Sequence, residues 1–134
     1  MVFNAPTIQR YNQPKPMNIE AIHAHCLTKK GSSDDFPFDE TTLVVRCMGK
    51  IFALISLESV PLSISLKCNP QRAIELRETY PDIIVPGYHL NKQHWNTISV
   101  EMLPSALVFD LIDHSYDLIA ASLKKAEREA LATM

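Results

Sequence analysis

TTLVVRCMGKIFALISLESVPLSISLK (residues 41–67) contains three runs of β-branched and apolar residues, separated by the short segments MGK and ESVP. Runs of this kind, bounded by turn residues, predict three β-strands. In the last run, apolar side chains alternate with serine and lysine, which is typical of a strand with one buried side and one side in water. The connections are too short for crossovers, so we expect antiparallel pairing.

Three helices are predicted around these strands, over residues 18–30, 69–81 and 104–129. In each of them apolar residues recur at helical spacing, so each presents an apolar face. In the second helix, Asn69 is a favourable N-cap and Pro70 fits the first helical position. The third segment contains no internal proline or glycine and is predicted as one continuous helix.

Two further extended segments are predicted, over residues 83–90 and 94–100, whereas residues 31–40 (GSSDDFPFDE) are predicted as a polar loop. The element order is therefore helix, three strands, helix, one or two strands, helix. A sheet in water on one side and covered by helices on the other is a two-layer sandwich. We predict an α+β fold with an antiparallel sheet and helices on one face.

Length and composition favour one soluble domain. The chain has 134 residues, and we predict a flexible arm at 1–16, a single domain at 17–129 and a frayed C-terminus at 130–134. The sequence contains no run of about 18 apolar residues, so no membrane span is predicted. The N-terminus lacks a signal-peptide pattern. Three widely spaced cysteines indicate reduced thiols, so we expect a cytoplasmic protein.

Net charge limits the class of ligand. The formal net charge is −2, which argues against strong sequence-independent binding of nucleic acid through many lysine and arginine contacts. A local basic surface is compatible with this charge. Only three glycines are present, and none of them forms a glycine-rich phosphate loop.

Side chains able to stack or to bond are concentrated in residues 83–100, around the single tryptophan, Trp95. If Ile98 and Val100 face the core, Trp95, Thr97 and Ser99 point to the solvent side of the sheet. An exposed ring there could stack on a base or a flat ligand. The alternative is that the arm or a loop covers the ring, because large aromatic side chains are usually well buried.

The turn of this segment leaves a second choice open. His89, Asn91 and Lys92 could bond phosphate oxygens or another anionic ligand. Asn91 and Lys92 could equally be polar only because turns favour polar residues.

Catalytic and metal sites are not predicted. Asp113, His114 and Ser115 are adjacent on a helix, where neighbouring side chains diverge by about 100°, so they cannot form a triad. We expect Ser115, on the apolar face, to bond a backbone carbonyl. His23 and His25 point in different directions, and no CxxC or HxxxH motif is present, so no metal, cofactor or enzymatic activity is expected.

Three motifs together resemble the MmcQ/YjbR family: LKCNP (66–70), PGYHLNKQHWNT (86–97) and DHSYDLI (113–119). The resemblance covers roughly residues 17–125. It implies a fold similar to that of bacterial frataxin (CyaY-like) and a role as a DNA-binding protein that grips a duplex with hairpins. The acidic ridge with which frataxins hold iron is not matched, because the first helix has only Glu20 as an acidic residue.

Together these observations lead to a hypothesis of a non-enzymatic binding protein whose partner, implied by the resemblance, is DNA, bound weakly and in a salt-sensitive way. The alternative is a protein or a small anionic or aromatic ligand on the same surface. The oligomeric state is left open. The candidate binding residues are Lys67, Asn69, Arg72, His89, Asn91, Lys92, His94 and Trp95.

Overall fold

A computed structural model describes residues 17–87 and 90–134 of the chain. The α-helices in these ranges are α1 (Ile19–Leu27), α2 (Pro70–Thr79), α3 (Ser105–Ala121) and α4 (Lys125–Ala132). The strands are β1 (Ser32–Asp35), β2 (Thr42–Cys47), β3 (Lys50–Ser56), β4 (Ser63–Lys67), β5 (Ile84–Pro86) and β6 (Trp95–Ser99). A short 3-10 helix, Val100–Met102, precedes α3.

The strands form one sheet in the order β1-β2-β3-β4-β6-β5, and every neighbouring pair is antiparallel. Helix α3 packs across β2, β3 and β4, while α1 packs on α3 and α2 lies against β5. The predicted α+β class with an antiparallel sheet and a helical layer is confirmed.

Strand register sorts the side chains into two faces. One row across the sheet is apolar and buried; it contains Leu43, Ile55, Ile64, Ile98 and Ile84. Paired residues point to the same side of a sheet, so this row faces the helices. The next row lies on the opposite side; it contains Val44, Leu54, Ser65, Thr97 and Val85. The alternation predicted for residues 62–67 and 94–100 is confirmed.

Side chains cap the starts of α1 and α2, and the cap at Asn69 confirms the prediction from the sequence. Asn18 Oδ1 accepts a hydrogen bond from the backbone N–H of Ala21 at 2.8 Å. Asn69 Oδ1 accepts from the backbone N–H groups of Gln71 and Arg72 at 2.9 and 3.2 Å. Each cap satisfies backbone donors that have no partner inside the helix.

Strand β1 lies inside residues 31–40, so the prediction of a loop there is wrong at Ser32–Asp35. The sequence SSDD has no apolar alternation because the strand is at the sheet edge and mostly exposed. It forms through backbone pairing with β2, in a register that runs from Ser32 opposite Cys47 to Asp35 opposite Val44. Backbone pairing of this kind leaves no signal in side-chain periodicity.

The predicted single helix over 104–129 is wrong, because the chain turns between α3 and α4. Lys124 is extended, with φ −65° and ψ 156°, and Leu123 is buried in the core. Helix α4 runs on to Ala132, so the boundary predicted at residue 129 falls inside a helix.

The predicted arm at 1–16 lies outside the described residues. No helix in the described ranges has the length and apolar content that a membrane crossing requires.

Candidate functional site on the open face of the sheet

We call the sheet side opposite the helices the open face. Register places on it Thr42, Val44, Leu54, Ser56, Ser63, Ser65, Lys67, Val85, Trp95, Thr97 and Ser99. The sequence led us to expect that this face is uniformly exposed to solvent, but it is not. Val44 lies in its second row and is completely inaccessible to solvent. The open face is therefore covered in part.

Trp95 and Lys67 form one corner of the open face. They are directly opposite each other in the β4–β6 register, and both side chains are half-buried. Lys92 is exposed in the turn before β6. Within residues 17–87 and 90–134, neither lysine has a carboxylate at ion-pairing distance. The corner thus combines an indole, neither fully open nor fully covered, with two uncompensated cations.

Gly87 allows the hairpin backbone to pass close to the Cβ atom and backbone of Trp95. Its N–H donates to the Trp95 carbonyl oxygen at 2.8 Å. A Cβ atom at residue 87 would lie 2.9 Å from Trp95 Cβ and 3.2 Å from that carbonyl oxygen. Only glycine allows this approach, and the approach fixes where the indole leaves the strand.

A concave pocket of about 490 Å³ occupies the other part of the open face. Its floor is formed by side chains of β2, β3, β4 and β6, and its walls by the β1–β2 loop and by Leu90. The lining residues are Phe38, Asp39, Thr42, Leu54, Ser56, Ser63, Ser65, Leu90 and Thr97. We call this cavity the open-face pocket. Its volume lies in the range of small-ligand sites.

The pocket lining is rich in hydroxyl groups. Thr42, Ser56, Ser63, Ser65 and Thr97 contribute one each, and the hydroxyls of Ser65 and Thr97 lie 2.8 Å apart. A hydroxyl both donates and accepts, so this floor can adapt to neutral polar groups of either kind.

Asp39 is the ionisable residue of the lining. Its Oδ1 accepts from the backbone N–H groups of Thr41 and Thr42 at 2.9 and 2.7 Å. The Thr42 hydroxyl donates more distantly to Oδ2, at 3.3 Å. Hydrogen bonds to the charged form lower the pKa of the Asp39 carboxyl, so it is ionised at neutral pH.

Three of the residues predicted to bind a ligand make contacts within the protein. Asn69 caps α2, Arg72 pairs with Asp110 at 2.5 Å, and Asn91 Oδ1 accepts from the N–H of Gln93 at 2.9 Å. None of these three lines the open-face pocket. The structure brings Lys67 and Trp95 together, with Lys92 and His94 in the adjoining turn. His89 lies outside the described residues.

Arg77 shapes this turn from α2, a role that the sequence did not reveal. Its Nε donates to Asn96 Oδ1 at 2.7 Å, and its guanidinium also donates to the carbonyl oxygens of Lys92 and Trp95. All three acceptors are neutral, so Arg77 fixes the start of β6 without an acidic partner. None of the nine residues that line the open-face pocket was among the candidate binding residues. The available signal was the pair of aromatic residues, Phe36 and Phe38, inside the polar stretch 31–40.

The DHSY and LKCNP motifs meet each other in the fold. Ser115 Oγ donates to the Phe52 carbonyl oxygen at 2.6 Å and accepts from the Lys67 N–H at 2.9 Å. The predicted bond from Ser115 to a backbone carbonyl is confirmed. His114 Nε2 accepts from the Asn69 N–H at 3.1 Å, and burial together with the nearby Arg72 charge lowers the pKa of His114.

The three cysteine thiols of the protein are not activated as nucleophiles. Cys26, Cys47 and Cys68 are all buried, and burial raises the pKa of Cys26 to about 12. Burial also raises the pKa of Cys47 and of Cys68. A thiol that stays protonated is a poor nucleophile and a poor metal ligand. In the described ranges, no three His, Cys, Asp or Glu side chains converge on a common point where a metal could lie.

Residues 27–118 match the family model described as YjbR. The chain belongs to the YjbR family. It is 40% identical to the Escherichia coli O157:H7 protein YbdF over 96 residues, which are 70% of this chain and 77% of YbdF. It is also 29% identical to YjbR of Escherichia coli K12 over 120 residues, 88% of this chain and 100% of that protein.

Two crystal structures share the fold of this YjbR-family chain. A Deinococcus radiodurans protein of domain family DUF419 matches with a TM-score of 0.81 and 36% identity, covering 90% of this chain and 91% of its own. A Pseudomonas syringae protein matches with a TM-score of 0.65 and 26% identity, covering 77% of this chain and 99% of its own. The names of these relatives state no ligand or reaction, so function must be argued from the geometry of the open face.

Proposed function

We propose that this YjbR-family protein is a non-enzymatic binding protein that takes a small molecule into the open-face pocket. The observation that carries the proposal is the pocket itself, a cavity of about 490 Å³ on a rigid sheet. Its floor alternates hydroxyl groups with the apolar surface of Leu54, and Leu90 forms part of the wall. Small-ligand sites typically combine apolar walls with a few fixed polar groups.

The chemistry of the lining favours binding over catalysis. The described lining has hydroxyls and one carboxylate but contains no histidine, lysine or cysteine that could activate a serine or threonine. Asp39 already accepts two backbone hydrogen bonds, and its lowered pKa makes it a weak general base.

A second candidate function is weak, salt-sensitive DNA binding at the Trp95–Lys67 corner, as the family resemblance implies. The observation that favours it is the pair of uncompensated lysines, Lys67 and Lys92, beside a partly exposed indole. An aromatic ring can stack on a base while nearby cations contact phosphate. Among the described residues of this corner, the Arg77 guanidinium is already engaged by the oxygens of Asn96, Lys92 and Trp95, so Lys67 and Lys92 are the cations available to a ligand. Two available cations are few for phosphate binding, so we rank this function second.

The pocket function is tested by recording backbone amide NMR spectra while small aromatic and aliphatic alcohols, amines and carboxylates are added. Binding in the pocket shifts the amide signals of Ser65, Thr97 and Leu90 first. A Ser65→Phe variant fills the floor with a ring and is expected to abolish those shifts.

The matched control is Ser33→Phe, which places the same ring on the exposed edge strand β1, outside the pocket lining. This variant should bind as the wild-type protein does. The proposal is wrong if no compound shifts the pocket amides of the folded wild-type protein, or if Ser65→Phe leaves the shifts unchanged.

A further inference from the structure

We infer that the open-face pocket is selective for a small organic cation, an amine carried on an apolar or aromatic body. This inference rests on the proposed pocket function and names its ligand class. It is carried by three features of the lining: the charge of Asp39, the exposed ring of Phe38 and the neutral hydroxyl floor.

Charge complementarity is the first step. Among the described lining residues, Asp39 has the only charged side chain, and no lysine, arginine or histidine balances it. Asp39 is also absent from the ion pairs of the described part of the chain. The pocket therefore offers one uncompensated negative charge, which attracts a cation and repels a carboxylate or phosphate.

The geometry of Asp39 leaves that charge available to a ligand. The two short hydrogen bonds from Thr41 and Thr42 N–H groups both end on Oδ1. Oδ2 has only the long contact with the Thr42 hydroxyl at 3.3 Å. A carboxylate oxygen accepts more than one hydrogen bond, so Oδ2 has capacity for an ammonium donor.

Phe38 supplies an aromatic surface next to this carboxylate. It lines the pocket and is 66% exposed, which is unusual for a phenylalanine. A cation that approaches the face of an aromatic ring is attracted by the ring quadrupole, with a gain that grows as the site is desolvated. Phe38 and Asp39 both line the pocket, so each offers an attraction to an ammonium group bound there.

The rest of the lining accommodates the body of such a ligand. Leu54 and Leu90 provide apolar surface, and the five hydroxyls are neutral. The described lining contains no further charged group that could pair with a second charge on the ligand. A ligand with a single amine and an apolar body therefore fits best. The small anionic ligand that we considered from the sequence would have to face Asp39 with no cation beside it.

Three probes with one scaffold and different charges test this inference: phenethylamine, 2-phenylethanol and phenylacetate. Their dissociation constants are measured from the amide shifts of Ser65 and Thr97 at neutral pH. We expect the amine to bind about fivefold more tightly than the alcohol, since an exposed charge pair and a cation–π contact are each worth about that much or less. Phenylacetate should bind more weakly than the alcohol.

Asp39→Asn removes the charge while keeping an oxygen that accepts from Thr41 and Thr42, so the loop should stay folded. In this variant the amine preference should shrink to the part that the Phe38 ring supplies through its cation–π attraction. The matched control is Glu40→Gln, which removes the neighbouring charge outside the lining and should keep the amine preference.

The outcomes separate the inference from the pocket function. Equal binding of the three probes to the wild-type protein, or an amine preference that Asp39→Asn leaves undiminished, overturns the cation selectivity and leaves an unselective pocket. If neither these probes nor any compound of the wider series shifts the pocket amides at millimolar concentration, both the pocket function and its selectivity are overturned.

Discussion

At the scale of single residues, polar side chains in this fold mostly serve the backbone. Ser115 shows why: it is completely inaccessible, and its hydroxyl links the Lys67 N–H to the Phe52 carbonyl. The β3–β4 ladder ends at the pair Ala53 and Leu66, so these two backbone groups lie just beyond it. The hydroxyl takes the place of the next ladder bond and attaches α3 to the sheet.

Ser115→Ala should lower the free energy of unfolding by about 1–3 kcal/mol, because it leaves a buried donor and a buried acceptor without a partner. Urea denaturation followed by circular dichroism measures this loss. Ser122→Ala is the control, since Ser122 is exposed and bonds only the carbonyl of its own helix. Equal losses in the two variants would contradict the assigned role of Ser115.

His114 should make stability depend on pH. The pKa of His114 in the folded protein is lowered from 6.5, so the unfolded chain binds more protons between the folded pKa and that value. The His114 contribution is therefore complete above about pH 6.5 and is lost as pH falls through the folded pKa. Protonation also removes the Nε2 lone pair that accepts from Asn69.

The measurement compares the free energies of unfolding of the wild-type protein and His114→Gln from pH 8 to pH 5. Gln retains an acceptor but does not titrate, so the wild-type protein should lose stability relative to the variant on acidification. Contributions from the other histidines cancel in this difference. Parallel pH profiles for the two proteins would show that His114 has no role.

Sequence periodicity predicted strand parity correctly, whereas sequence composition did not decide how the polar side chains are used. The alternation around Ile98 correctly placed Trp95 and Thr97 on the open face. Asn69 and Asn91 were polar for local reasons, as a cap and a turn residue. The sequence shows the same asparagine whether its side-chain amide bonds the backbone or a ligand. Only the structure distinguishes these two roles.

At the scale of elements, prediction followed the strength of the local signal. Strands β2, β3 and β4 carry β-branched runs and alternation, and helix α2 carries a cap and prolines at both ends. Strand β1 and the break before α4 lack such signals. Both form because of contacts distant in sequence: pairing with β2 for the strand, and burial of Leu123 for the break.

The β5–β6 hairpin depends on the absence of a side chain at residue 87. Gly87→Ala should lower the free energy of unfolding by about 1–3 kcal/mol, because the new methyl group would meet Trp95 Cβ and the Trp95 backbone, which cannot move aside easily. The same contact should displace the indole and shift its fluorescence emission. Thermal denaturation and the emission spectrum of the single tryptophan measure the two effects.

Gly49→Ala provides the comparison, since a Cβ there would meet no atom within 4 Å but Gly49 has φ +89°. This variant should lose about 1 kcal/mol through backbone strain alone and leave the Trp95 emission unchanged. An unchanged emission spectrum in Gly87→Ala would contradict the proposed contact.

At the scale of the whole molecule, the two surfaces for which we propose binding share one face of the sheet but differ in charge. The open-face pocket is negative through Asp39, and the Trp95–Lys67 corner is positive through Lys67 and Lys92. The net charge of −2 gives no global attraction for nucleic acid. We therefore expect any DNA binding to be weak and local, and its salt dependence should reveal how few phosphates are contacted.

Labelled single-stranded DNA should bind weakly, and the logarithm of its association constant should fall with the logarithm of salt concentration with a slope near −1.4, about −0.7 for each of two phosphate contacts. Lys67→Ala and Lys92→Ala should each weaken binding and halve that slope, as fluorescence anisotropy would measure. Lys125→Ala, on the exposed surface of α4, serves as the control and should change neither quantity. A steep slope that Lys125→Ala reduces as much as Lys67→Ala would show that DNA binds elsewhere, and no binding at low salt would overturn the DNA-binding candidate.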